Sequence, residues 1–253
     1  METLVRAVGA LSCLMIVLGV AMAVAGRFAP EDERKASGEL AGVKDMPALA
    51  LEFVRDASEV ERFLGARDAE GDSAMRRKIR RALAWDNVFI AAYWLLFAGL
   101  CALLAQRDFT PGAAGLRWWN PALCLAVFAA LCATGAAVSD TVENARTVTL
   151  LDAAAVTGPL LRGVAAASFQ KWLLISLATL ALSPIFLWGG GRRALFAGGG
   201  LFLLYVLIGV LTLWGILGGR PRLVMTGFLL NFVGVIVVAV LFSLWPRRVA
   251  SRL

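Results

Sequence analysis

Six apolar runs of about 18 residues or more limit the fold of this chain more tightly than any other feature of its sequence. About 20 residues rising 1.5 Å each cross the hydrocarbon of a bilayer, so each run reads as a transmembrane helix. The runs cover residues 7–25, 85–104, 121–138 (helical onward to about 151), 169–188, 194–217 and 223–245. They end on Arg, Pro or Gly clusters, with Trp118, Trp119, Trp188 and Trp245 where interfacial aromatics are expected. Composition agrees. Hydrophobic residues make up 60% and charged residues 17%, against about 45–50% and 25% in soluble domains. The fold class that follows is all-α, a polytopic membrane bundle with six transmembrane helices.

The chain divides into a first span (1–26), a polar loop (27–84), a core of spans two to four (85–188) and two supporting spans (189–253). Ala23-Val24-Ala25 also fits a signal-peptide cleavage site behind Arg6, but the first run is long enough to span, which favours an uncleaved anchor. In the polar loop, residues 30–45 look like a linker. Beyond them Leu49, Phe53, Val60, Phe63 and Leu64 recur at helical spacing, opposite Glu52, Arg55, Asp56, Glu59 and Arg62. This predicts an amphipathic helical segment, with Asp56 or Ser58 as a helix cap. A basic run, Arg76-Arg77-Lys78-Ile79-Arg80-Arg81, precedes the second span and suits anionic lipid. Counting Lys and Arg near the span ends gives thirteen on the side of the polar loop and eight opposite, which puts that loop in the cytoplasm.

Several functions are disfavoured. The net charge of +7 is spread over helix ends, as in membrane proteins, so membrane lipids and not nucleic acid are the expected contact. A homo-oligomer or another membrane protein is the partner class left open. No histidine exists to bind haem or zinc or to shuttle protons. Cys13, Cys101, Cys124 and Cys132 all lie in apolar runs without metal or redox spacing, and read as packing residues. No metal site and no cofactor is expected.

Charges inside apolar helices are the exception, because each costs at least about 2.5–3.5 kcal/mol on insertion scales. Asp86 and Asn87 open the second span, with Tyr93 two turns further on the same face as Asp86. Asp140, Glu143 and Asn144 fall at i, i+3 and i+4 and line one stripe of the third helix. Lys171 opens the fourth. At 1.5 Å per residue, Asp86 lies about 8 Å from Arg81, Asp140 about 9 Å from Arg146 and Lys171 about 14 Å from Arg162. These ends share one side of the membrane, so the groups are expected to meet in one layer. Asn231 in the sixth span is a secondary polar position, read as interhelical glue.

Three roles fit such a cluster. It is an interhelical network in which Lys171 pairs with Asp140, Glu143 or Asp86, a substrate or ion path, or the centre of an enzyme acting on a membrane lipid. In the last case the carboxylates hold a divalent cation or work as acid and base. No nucleophile motif, phosphate loop or thiolate site supports the enzyme, so a non-enzymatic role in transport or in binding a lipid or small amphiphile is the leading expectation.

The segment Ala48-Leu49-Ala50-Leu51-Glu52-Phe53, then Asp86-x-x-Phe89-x-x-x-Tyr93, then Asp140-x-x-Glu143-Asn144, resembles a group of bacterial multi-pass membrane proteins with no assigned activity. The resemblance covers about residues 46–175 and leaves out spans five and six. It implies a bacterial origin, hence the plasma (inner) membrane, and a shared polar site.

Overall fold

The computed structural model describes residues 1–25, 51–52, 56–65, 72–107, 121–186, 192–218 and 220–244. Among them there are seven α-helices, one 3₁₀ turn and no strand. The helices are α1 (Glu2–Ala25), α2 (Ala57–Leu64), α3 (Ala74–Arg107), α4 (Pro121–Asp152), α5 (Gly158–Leu182), α6 (Arg192–Leu217) and α7 (Pro221–Leu244). All except the short α2 are long and apolar enough to cross a membrane, so the protein is a six-span helical membrane protein. Leu49, Phe53, Arg55 and the four tryptophans expected at the interfaces lie outside the described residues.

Three helices outrun the apolar runs that announced them. With 34 residues, α3 begins at Ala74, ahead of the basic run and well before Trp85; at 1.5 Å per residue it is about 51 Å long, more than a ~30 Å hydrocarbon core requires. Hydropathy sees only its apolar part, yet Met75, Ile79, Ala82 and Leu83 are buried and keep the helical period through the arginines. As expected, α4 runs on past its apolar stretch to Asp152, whereas α5 starts at Gly158, eleven positions before Phe169. Gly158 and Pro159 open that helix, and Pro159 suits a first turn that needs no N–H partner. At the other end, α5 gives way to the 3₁₀ turn Ser183–Phe186, because Pro184 cannot donate to the α-helical ladder.

Sequence chemistry also fixes α2. Asp56 is its N-cap, accepting from the Ser58 backbone N–H at 2.8 Å. Gly65 closes it at φ +74°, a conformation that a side chain would strain. Val60, Phe63 and Leu64 form its buried face, as the amphipathic pattern requires.

The chain separates into two compact units whose boundaries cut through the long helices. One comprises Met1–Ile16, Ala91–Ala136 and Trp172–Leu253. Within it α6 packs on α7, with Gly227 beneath Thr212 and Gly215 against Val224, small residues that let the backbones approach closely. Phe228 lies edge-on to Trp172, with ring centroids 5.9 Å apart. The other unit comprises Val17–Ile90 and Ala137–Lys171. It contains α2, the first half of α3, the second half of α4 and the first half of α5. Buried Arg76 of α3 donates to the Leu151 carbonyl at the end of α4, satisfying a helix-terminal acceptor. Exposed Asp152 closes α4 and pairs with Arg80, which also binds Asp72 at 3.0 Å.

Candidate functional site

The second unit is built around one buried ammonium group. Each long helix contributes a stripe in which polar positions replace apolar ones. On α4, Asp140, Glu143, Asn144 and Thr147 are buried while Thr141, Val142, Ala145 and Arg146 are exposed, so the i, i+3, i+4, i+7 spacing does point one way. On α5, Lys171 continues the stripe of Val164, Ala167 and Ser168. On α3, Asp86 is the polar member of a stripe otherwise formed by Ile79, Ala82, Leu83, Phe89 and Ile90.

Three carboxylates converge on Lys171 Nζ. Glu52 Oε1 lies at 2.9 Å, Asp140 Oδ1 at 3.1 Å and Glu143 Oε2 at 2.8 Å. The side chains of Lys171, Glu52, Asp140 and Glu143 are only 6, 7, 7 and 5% exposed. An aligned hydrogen bond runs from the ammonium to Glu52. Asp140 Oδ1 and Glu143 Oε2 face the same ammonium at ion-pair distance. Asp86 lies within electrostatic reach of both Lys171 and Glu143. Its Oδ2 accepts from Asn144 Nδ2 at 2.8 Å, and the same amide reaches Asn87 Oδ1 at 3.1 Å. Asp86 is half-buried and Asn87 exposed, so polar groups lead from the packed centre outward.

The expected pairing of Lys171 with Asp140 and Glu143 is present, and Asn144 is the donor that serves Asp86. Two residues belong to the other unit. Tyr93 is buried there, with Phe97 edge-on at 6.4 Å, and Asn231 is half-buried on α7.

Glu52 corrects the sequence reading. The amphipathic pattern assigns it to the outward polar face, but it is buried beside Leu51 and bound to Lys171. The signal is its setting, a single charge between Leu51 and Phe53 at the end of an apolar stretch. Its partner stands 119 positions away and cannot be read from the segment itself.

The arrangement is chemically a cation held by an excess of anions. Lys171 Nζ occupies the point where the carboxylates meet. Among the described residues no group of three or more His, Cys, Asp or Glu side chains is placed to hold a metal ion. Four carboxylates against one ammonium leave negative charge that a low-dielectric setting tolerates poorly.

No protein family, curated protein or solved structure matches the chain.

Proposed function

We propose that this protein is a non-enzymatic multi-pass membrane protein whose carboxylate–lysine centre binds an exchangeable cation, a proton above all, in the service of transport or of binding a lipid or small amphiphile. One observation carries the reading: Glu52, Asp140 and Glu143 all lie within 3.1 Å of a single buried ammonium, with Asp86 alongside. A purely structural ion pair needs one carboxylate per lysine. The surplus has to be neutralised at membrane depth, and a bound proton does so without further ligands. The half-buried Asp86 and exposed Asn87 supply a polar route by which that proton exchanges. The resemblance over residues 46–175 adds a setting, the plasma (inner) membrane of a bacterium.

Infrared difference spectroscopy of the protein in lipid, titrated across neutral pH, tests the reading. A protonated-carboxyl band should persist at neutral pH and should weaken in Asp140→Asn and Glu143→Gln, both of which accumulate normally. Absence of that band in the unmodified protein, or a band unchanged by both substitutions, overturns it.

A further inference from the structure

The arginines near the ends of α3, α4 and α5 are not equivalent. Arg76 is buried and serves the Leu151 carbonyl, Arg77 donates to the Asp72 carbonyl, and Arg80 pairs with Asp72 and Asp152. Much of the basic run is therefore engaged inside the second unit. Arg146 on α4 and Arg162 on α5 are exposed instead. The exposed positions of α4 from 141 to 149 and of α5 from 159 to 170 include no acid, and Asp152 beyond them is held by Arg80.

These two arginines belong to one seam. Arg146 Nη1 donates to the Gly163 carbonyl at 2.6 Å, and the Arg146 Cδ lies 3.6 Å from where a Gly163 Cβ would stand. That bond uses one amino group and leaves the edge formed by Nε and Nη2, two parallel N–H donors matched to a phosphate. Arg162 precedes Gly163 in the chain and adds a second positive charge to the same stretch of α5. Contacts of Arg146 with Gly163 and of Glu143 with Lys171 show that α4 and α5 run antiparallel here. On α4 the exposed stripe continues from Arg146 to Val142 and Val138, and on α5 from Arg162 to Ala166 and Phe169. At 1.5 Å per residue, Val138 lies about 12 Å and Phe169 about 10 Å further along the spans than the arginines. The outer seam is thus cationic at one end and apolar at the other, the same order as headgroup and acyl chain in a lipid.

We propose that the outer seam of α4 and α5 is a site for one anionic phospholipid, its phosphate on Arg146 and Arg162 and an acyl chain along Val142, Val138 and Phe169. The site goes beyond the reading of the buried centre and stands whether or not that centre binds a proton. Its selectivity follows from charge. A headgroup that carries only its phosphate gains from both guanidiniums, whereas a choline headgroup brings its own ammonium and gains little.

Native mass spectrometry of the full-length protein, titrated in detergent with phosphatidylglycerol or with phosphatidylcholine, tests the site. The first phosphatidylglycerol should bind more tightly than the first phosphatidylcholine. Arg146→Gln and Arg162→Gln should each weaken phosphatidylglycerol by about fivefold, the loss expected for one charge at the membrane surface, and leave phosphatidylcholine unchanged. Arg146→Lys keeps the charge without the two-donor edge and should fall between. Arg81→Gln removes an equal charge from α3 and should leave the first site as it is. Should Arg146→Gln unsettle the contact with Gly163, Arg162→Gln carries the test. Equal affinity for the two lipids overturns the proposal, and so does a preference that Arg81→Gln removes and the α4 and α5 variants do not. Displacement of the bound lipid by excess inorganic phosphate would overturn it as well, by revealing a site for a free anion.

Discussion

Lys171 Nζ lies 2.9 Å from Glu52 Oε1, across 119 positions of sequence, in a place that both side chains share with almost no solvent. The contact ties the stretch between the first two spans to the helices of the second unit. It is the point at which folding, charge and the proposed function meet.

Replacing Lys171 with Met should be the most damaging single change in the centre. The new side chain fits the volume but leaves the carboxylates without their cation. Loss of one partner from a buried ion pair typically costs about 3–5 kcal/mol. Thermal unfolding in detergent should show a large fall in midpoint. Adding Glu52→Gln to Lys171→Met should restore part of the loss, because the two effects are coupled and not additive. A double variant no better than the single one would mean that the carboxylate charge is not what destabilises it.

Asn144 should matter more than Asn87. Asn144 is buried and donates to both Asp86 and Asn87, so Asn144→Leu strips Asp86 of that donor and should cost about 1–3 kcal/mol. Asn87 is exposed and supplies only an acceptor to the Asn144 amide, so Asn87→Ala should change stability little. The comparison needs only the two unfolding midpoints. Equal losses would show that burial does not set the cost.

How far the site is legible in the sequence depends on whether its residues break a local pattern. Asp140, Glu143 and Asn144 interrupt an apolar helix at one-face spacing, and Lys171 stands alone in an apolar run, so all four are readable. Glu52 is harder to read, because Arg55, Asp56, Glu59 and Arg62 follow it and outweigh its apolar setting, making one more carboxylate look solvated. Its burial is a tertiary fact, set by a lysine on another helix. The six spans are legible for the same reason as the cluster, since length and apolarity are local. The true start of α3 is hidden because hydropathy averages Arg76–Arg81 with Ile79, Ala82 and Leu83, whereas the helix buries the apolar three together with Arg76 and leaves Arg77, Lys78, Arg80 and Arg81 half-buried or exposed.

Close packing of α6 on α7 predicts a contrast between two glycines. A Cβ on Gly227 would overlap Thr212 Oγ1 and lie 3.3 Å from the Thr212 backbone nitrogen, so Gly227→Ala must push the Thr212 side chain aside or the helices apart. Overpacking of this kind typically costs about 1–3 kcal/mol. Gly200, on the same α6, has open space where a methyl group would stand, with nothing within 4 Å. Gly200→Ala should therefore stabilise by up to about 1 kcal/mol through helix propensity. Opposite shifts in the unfolding midpoint are expected. A neutral Gly227→Ala would mean that the two helices separate at no cost.

The cap of α2 should make that helix sensitive to acid, which an exchange experiment reads directly. The Asp56 carboxyl is held below the usual carboxylate range, chiefly by the hydrogen bond from the Ser58 hydroxyl and then by the Ser58 backbone N–H. A depressed folded-state value means that the charged form is the one stabilised. The cap's contribution is therefore present above the unfolded value of about 3.9 and is lost as pH falls through the lower folded value. Exchange of the α2 amides, scaled to intrinsic rates, should quicken on acidification below about pH 4 as the cap is lost. Asp56→Ala should remove that acid response and weaken protection at neutral pH. An Asp56→Ala protein that keeps the acid response in full would show that another group, not the cap, controls it.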